Sequence, residues 1–211
     1  IVLFRLGDFY ETFDEDARVA SRELEITLTS RSMGKGLRVP MAGVPAHSLD
    51  GYLARLIKKG YQVAICEQLT DPAASRGLVE RDVVRVVTPG TVLEAGLLDQ
   101  GTNNFLAAVV AEGELAGLAY VDITTGEFAA TQLDVVRLQL ELERISAVEI
   151  LVPKSEESSD WVHPGPGNSA RRVTPIEPES FELASARQAL LSLYGILSLE
   201  AFGCEGLPLV G

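Results

Sequence analysis

The sequence predicts two successive α/β domains, the first spanning residues 1–92 and the second residues 93–211. Short apolar runs of strand length alternate with stretches whose apolar residues recur at helical spacing. The turn-forming pair Pro89-Gly90 closes the first such series. The charge changes at the same place, because residues 1–90 hold 12 basic and 12 acidic residues, whereas residues 91–211 hold 6 and 18.

The first domain is predicted to be a mixed α/β unit in which Gly7-Asp8 ends the opening strand with a turn. The acidic residues at the start of the first helix complement its dipole, and Leu53, Leu56 and Ile57 share one face of the second. Its predicted elements are a strand at Ile1–Leu6, a helix at Asp14–Leu24, a loop at Ser30–Gly36, an irregular stretch between Pro40 and Pro45, a helix from Ser48 or Asp50 to Gly60, and strands at Tyr61–Glu67 and Val83–Val87.

The second domain is predicted to open with three meandering strands, a crossover helix and a further strand. This order is typical of the opening of a ribonuclease H-like fold. The predicted elements are strands at Phe105–Ala111, Leu115–Ile123 and Glu127–Leu133, a helix that Asp134 caps, a strand at Glu149–Val152, a long surface loop or partly disordered segment at Lys154–Glu179, and a helix at Phe181–Leu193.

Composition and motifs argue against several functional classes. No apolar run approaches the roughly 18 residues that a membrane helix needs. Gly34-Lys35-Gly36 lacks the spacing and the hydroxyl of a phosphate-binding loop, and no Gly-x-Ser-x-Gly elbow is present. The two histidines are too isolated for a zinc site, and the two cysteines favour a reducing compartment. Charge repulsion disfavours DNA contact by the acidic second domain and leaves the first permissive.

The most distinctive motif is Gly7-Asp8-Phe9-Tyr10-Glu11. Here a strand ends, a glycine allows a turn, and an aromatic residue and a carboxylate follow two positions apart. In extended backbone this spacing places Phe9 and Glu11 on the same side. On physical grounds alone, Phe9 as a core residue with Glu11 as a surface charge stays open beside a binding role.

Several separated motifs resemble the mismatch-binding domain of the MutS family, in the same order along the chain. They are Gly7–Glu11 with Phe13, Pro40–Pro45 with His47, Tyr52-Leu53, Val63–Gln68, Asp71-Pro72, Val79–Arg81 and Val83–Thr91. The similarity covers about residues 3–93. It continues more loosely through Asp122–Gly126 and Phe181–Gly206, as in the family's connector domain.

The resemblance implies a role for four residues of the first domain. Phe9 would enter the DNA minor groove and stack on a mispaired base, and Glu11 would share a hydrogen bond with that base. Because phosphate repulsion and desolvation disfavour an ionised carboxylate there, we expect Glu11 to be protonated in the complex. Arg31 and Arg81 are candidate phosphate contacts, although either can equally be a solvated surface residue.

The resemblance also implies properties of the full-length protein. Mismatched double-stranded DNA and MutL are the expected partners, and a homodimer, ATP, Mg and an ATPase outside this chain are expected as well. No cofactor or metal is expected within these 211 residues, and the expected location is the cytoplasm, at the nucleoid.

The alternative is a metal-dependent nuclease of ribonuclease H-like fold, with Asp122 and Glu149 as the carboxylates on its central strands.

Overall fold

The computed structural model describes residues 1–34, 36–69, 79–92, 102–162 and 172–210. Contacts between Cα atoms group the chain into two compact units, Ile1–Gln100 and Gly101–Gly211. The predicted boundary after Val92 falls at the start of 93–101, which lie outside the described residues, as do Lys35, Asp71-Pro72 and His163.

In its described residues, unit 1 is a six-stranded mixed sheet with two helices, which confirms the predicted mixed α/β class. The strand order is β3-β4-β2-β1-β5-β6, and β1 is antiparallel to β2 and parallel to β5. The strands are β1 (Val2–Leu6), β2 (Phe9–Phe13), β3 (Thr29–Ser32), β4 (Arg38–Pro45), β5 (Val63–Gln68) and β6 (Arg81–Val87); the helices are α1 (Asp14–Leu24) and α2 (Leu49–Lys58).

One face of this sheet carries the core of unit 1. Alternate strand residues such as Leu3, Tyr10 and Val44 form a buried cluster with Leu24 of α1 and Leu53 of α2. We call the other face the open face. It presents two cross-strand pairs of β1 and β2, Phe4 with Glu11 and Leu6 with Phe9. Cross-strand partners project to the same side of a sheet. Helices α1 and α2 therefore pack on the core face, opposite to the open face.

Two predictions for unit 1 are wrong. The segment between Pro40 and Pro45 is not irregular but part of β4, and β3 occupies the start of the predicted loop Ser30–Gly36. A proline lacks an N–H for the sheet ladder, so prolines argue against a strand. Here the last β2–β4 pair is Phe13–Met41, so Pro40 lies beyond the end of β2. On the other side it faces only the short edge strand β3.

The part of unit 2 that the structure describes is a five-stranded mixed sheet in the order β11-β10-β7-β8-β9. The first three strands form an antiparallel meander, and β10 and β11 add parallel to β7 and to each other. This arrangement is compatible with the predicted ribonuclease H-like fold. The strands are β7 (Phe105–Glu112), β8 (Leu115–Asp122), β9 (Phe128–Asp134), β10 (Glu149–Pro153) and β11 (Arg172–Ile176); the helices are α3 (Val135–Ile145) and α4 (Leu183–Tyr194).

Helix α3 covers one face of this second sheet. Leu138, Leu142 and Ile145, spaced for one helical face, are buried against strand residues that include Val109 and Ile150. The predicted capping by Asp134 is half right, because Asp134 is the N-cap residue but its side chain makes no cap hydrogen bond.

The predicted surface loop Lys154–Glu179 is wrong over part of its length. It contains the short 3-10 turn Lys154–Glu156 and the edge strand β11, which pairs with β10 along its whole length. Pro175 within β11 argues against a strand in sequence, but an edge position tolerates it.

Among the described residues, none of the helices combines the length and the apolar character that a membrane crossing requires.

Candidate nucleic-acid interface

The Gly7-Asp8 turn joins β1 to β2 as a two-residue hairpin loop, because Leu6 and Phe9 are the last paired residues. Gly7 adopts a φ of 62°, in the left-handed region that a residue with a side chain rarely adopts. A glycine with positive φ at the first loop position suits a type II′ turn, whose twist matches that of the flanking strands. The sequence therefore forms a tight tip from which Phe9 emerges directly.

The hairpin tip is braced from three sides. Arg5 donates from Nε to the carbonyl oxygen of Gly7 at 2.6 Å, and the backbone N–H of Ala46 donates to the carbonyl oxygen of Asp8 at 2.9 Å. Tyr10 donates its hydroxyl to the Glu67 carboxylate on β5. The Arg5 guanidinium also lies 5.1 Å from the centre of the Tyr10 ring. These contacts fix the backbone on both sides of Phe9.

Burial raises the pKa of the Tyr10 phenol, and the hydrogen bond to Glu67 raises it further. The phenol therefore stays protonated and keeps donating at neutral pH. Sequence analysis missed Tyr10 and Arg5 as supports of the tip. The sequence could have indicated both residues, because side chains alternate between the two faces along a strand and this places Arg5 and Tyr10 together on the face opposite to Phe9.

Phe9 and Glu11 lie on the open face of the sheet, two residues apart on β2. The Phe9 side chain is exposed, with 46% of its surface accessible, so the core interpretation of Phe9 is wrong. Glu11 is more enclosed, with 20% of its side chain accessible. An exposed aromatic ring beside a half-buried carboxylate, on a braced hairpin, suits a stacking contact with an adjacent hydrogen bond.

Arg31 on β3 contacts Glu11 directly. Its Nη1 lies 3.0 Å from Glu11 Oε2, across the intervening strand β4. Gly43 lies on β4 opposite Glu11, and a Cβ at this position would be 3.3 Å from Glu11 Cγ. The Glu11 side chain therefore packs against the β4 backbone and points towards β3. Sequence analysis named Glu11 and Arg31 separately and did not connect them.

Arg81 also lies on the open face, where Gln68 is its partner on β5. Its Nη1 donates to the carbonyl oxygen of Val79 at 3.1 Å, and its Nε is buried without a hydrogen-bond partner among the described residues. Arg31 and Arg81 line one hollow of about 890 Å³, together with apolar residues such as Phe4 and Phe13 and the acidic run Asp14–Asp16. Phe9 does not line this hollow, so the structure brings the two arginines together but leaves the aromatic residue apart from them.

The carboxylates of the nuclease alternative do not form a common site in unit 2. Asp122 pairs with Phe105, whereas Glu149 pairs with the next residue, Leu106. Neighbouring residues of a strand project to opposite faces, so Asp122 and Glu149 point to opposite sides of the sheet. In the described parts of the chain, no group of three or more metal-ligating side chains comes together. This geometry does not favour two-metal catalysis.

The Asp122 carboxylate instead organises the turn between β8 and β9. It accepts hydrogen bonds from the backbone N–H groups of Asn104 and Thr124 and from the hydroxyls of Thr124 and Thr125, at 2.8–3.1 Å. Burial by itself raises the pKa of Asp122, but these hydrogen bonds outweigh it and hold the pKa below its ordinary value. The carboxylate is therefore a structural acceptor, with three of its four hydrogen bonds made to Oδ1 and one to Oδ2.

We expect Asp122→Asn to lower the free energy of unfolding of unit 2 by about 1–3 kcal/mol, because the amide nitrogen that replaces one oxygen cannot accept a hydrogen bond and the neutral amide weakens the remaining charge-assisted bonds. Because the folded-state pKa is lowered, the contribution of Asp122 is present above the unfolded pKa of about 4 and is lost as the pH falls through the folded value. Urea unfolding followed by Trp161, the single tryptophan and part of the unit 2 core, measures this. Asp134→Asn, at an exposed carboxylate 3.9 Å from Arg137, is the control. An equal midpoint for both variants would contradict this role.

The comparisons with known proteins match both units. Residues 1–96 match the family described as MutS domain I, and residues 104–211 match MutS domain II. Domain I contains every residue of the braced hairpin and of the arginine hollow. The open face of unit 1 therefore belongs to a recognised domain of this family.

Three relatives are described as DNA mismatch repair protein MutS. The chain is 52% identical over 209 residues to that of Dehalococcoides mccartyi strain 195, covering 99% of this chain and 24% of the relative. For Thermosynechococcus vestitus the identity is 48% over 220 residues (99% and 25%), and for Syntrophomonas wolfei it is 49% over 210 residues (97% and 24%). The chain thus spans about a quarter of the length of these relatives. It belongs to the MutS family of DNA mismatch repair proteins, of which it contains domains I and II.

Proposed function

We propose that unit 1 recognises mispaired bases in double-stranded DNA by inserting Phe9 into the minor groove. The observation that carries this proposal is the exposed Phe9 ring beside the tip of a braced two-residue hairpin, in a chain of a mismatch repair family. A rigid support matters, because a wedge on a mobile loop would lose conformational entropy when it inserts. The contacts from Arg5, Ala46 and Tyr10 reduce that loss.

The preference for mispairs follows from the energetics of DNA deformation. An apolar wedge unstacks a base step and kinks the duplex, at a cost of about a few kcal/mol per step. A mispair has already lost part of its pairing and stacking, so it deforms more cheaply than a matched pair. The same Phe9 contact therefore yields tighter net binding at a mispair, without any need to read a particular sequence.

Glu11, Arg31 and Arg81 are proposed to complete the interface. Glu11 lies on the same face as Phe9, two residues along β2, where a carboxyl group can hydrogen-bond the displaced base. Arg31 and Arg81 lie on this face as well, and the family resemblance makes both of them candidates for phosphate contacts, which fix register without reading sequence.

Unit 2 is proposed to act as a connector and partner-docking module. Residues 91–211 carry 6 basic and 18 acidic residues, which suits protein contacts better than contacts with phosphates. MutL is the proposed partner in the full-length protein. We also propose that the full-length protein is a homodimer and that its ATP- and Mg-dependent activity is located outside the 211 residues of this chain.

The test is a direct binding comparison with the full-length protein. Two duplexes that differ by a single mispair are titrated at one fixed salt concentration, because phosphate contacts make every DNA affinity depend on salt. The proposal predicts tighter binding to the mispaired duplex at that salt concentration. Equal affinity for the two duplexes would refute it. Incubation of the same duplexes with divalent metal measures any strand cleavage, which the nuclease alternative requires.

A further inference from the structure

We infer that Arg31 is a positioning residue for the Glu11 carboxylate, and that it acts on mispair selectivity through Glu11 rather than as an independent phosphate contact. This inference rests on the proposed function, because it concerns the carboxylate proposed to meet the displaced base. It assigns Arg31 a different role from the phosphate contact suggested by resemblance. The two roles predict different results in the same binding experiment.

The geometry gives Glu11 a single well-defined direction. Its Oε2 lies 3.0 Å from Arg31 Nη1, and its Cγ lies within 3.3 Å of the position that a Cβ on Gly43 would occupy. The absence of a side chain at Gly43 lets Glu11 lie close over β4, and Arg31 then holds the far end of that side chain. One oxygen is engaged by Arg31, which leaves the other, Oε1, for a base.

The charges also limit what Arg31 contributes to phosphate binding. While Glu11 is ionised, its carboxylate and the Arg31 guanidinium form a pair with no net charge, so the attraction of Arg31 for the DNA backbone is largely cancelled. This cancellation requires an ionised Glu11, in contrast to the protonated Glu11 that the sequence leads us to expect in the complex. Arg81 differs, because among the described residues it donates to the carbonyl oxygen of Val79 and forms no ion pair with a carboxylate. Arg81 is therefore the better candidate for a phosphate contact, and Arg31 the better candidate for orienting Glu11.

Removal of Arg31 should not unfold unit 1. Its side chain is 47% accessible, and exposed ion pairs contribute little to stability. Moreover, the pair is joined by a single nitrogen–oxygen contact, from Arg31 Nη1 to Glu11 Oε2, which a lysine ammonium can also make. Arg31→Lys should therefore preserve the positioning, while Arg31→Gln keeps much of the stem but removes the charge.

The experiment is a double-mutant cycle in the full-length protein, with the ratio of matched to mispaired dissociation constants as the readout. We expect Arg31→Ala and Arg31→Gln to lower this ratio by roughly threefold to tenfold, as for directly coupled residues. In a Glu11→Ala background the same changes should leave the ratio as it is. Arg31→Lys should keep the ratio near that of the wild type. The matched control is Arg18→Ala on α1, where the exposed Arg18 Nε lies 3.8 Å from Glu15 Oε2.

A phosphate contact would give another pattern. Arg31→Ala would then weaken both duplexes equally, and the slope of log affinity against log salt would fall by about one. An unchanged ratio, or an equal fall of the ratio with and without Glu11, would overturn the inference while the wedge proposal stands. A wild type that lacks any mispair preference would overturn both. Thermal unfolding of each variant separates a loss of folding from a loss of positioning.

Discussion

Phe9→Ala is expected to remove most of the preference for mispaired over matched duplex while leaving matched-duplex affinity nearly unchanged. The ring is 46% accessible, so its loss removes a stacking surface and not a core contact. Stacking of a base on an aromatic side chain contributes about 1–3 kcal/mol by alanine substitution, or roughly 5- to 150-fold in affinity. Because a matched base stays stacked in the duplex, the stacking of a base on Phe9 stabilises the mispaired complex and not the matched one.

The measurement is the ratio of matched to mispaired dissociation constants at fixed salt, with the full-length protein. Phe128→Ala is the matched control, since Phe128 on β9 of unit 2 is 42% accessible and the proposal gives it no part in DNA binding. A ratio that survives Phe9→Ala intact would mean that the recognition surface lies elsewhere in the protein.

Gly117→Ala is expected to destabilise unit 2 or to displace its C-terminal segment. A Cβ on Gly117 of β8 would lie 2.1 Å from the Leu209 carbonyl oxygen and 2.9 Å from the Leu209 carbonyl carbon. Both are backbone atoms, so a rotamer change cannot relieve the clash. The Leu209 N–H also donates to Gln132 Oε1 at 3.2 Å, and Val210 is buried, which ties the segment to the sheet. Overpacking of this kind costs about 1–3 kcal/mol, and sometimes more.

Urea unfolding followed by Trp161 fluorescence checks this expectation, because Trp161 packs against the core of unit 2. The control is the same substitution in a chain that ends at Gly206, where Leu209 is missing. There the penalty should largely disappear. A penalty of equal size in the two backgrounds would show that the Leu209 contact is not its cause.

The regular elements were predictable because their apolar spacing is strong. Helices α1, α2 and α3 and the meander β7–β8–β9 follow their patterns closely, since each buries one continuous face. The hairpin tip was predictable too, because Gly7 marks a turn and alternation places Phe9 and Glu11 on one side. Strands β4 and β11 were not predictable, because each contains a proline that only its position in the sheet makes acceptable.

The contact between Glu11 and Arg31 could not be predicted from the sequence either. The two residues are 20 positions apart, and their meeting depends on the register of β3 against β4 and of β4 against β2. Since β3 and β4 were assigned to a loop and an irregular stretch, no register was available. The burial of Arg81 Nε likewise depends on the pairing of β6 with β5, which composition does not reveal.

Insertion of Phe9 is tested most directly by the shape of the bound DNA. A mispaired duplex with a fluorescence energy-transfer pair at its ends reports the end-to-end distance, and a wedge kinks the duplex by about 20–90°. At saturating full-length protein, where affinity no longer matters, the wild type should shorten this distance and Phe9→Ala should leave it close to that of free DNA. An equal shortening by both proteins would contradict the claim that Phe9 is the wedge.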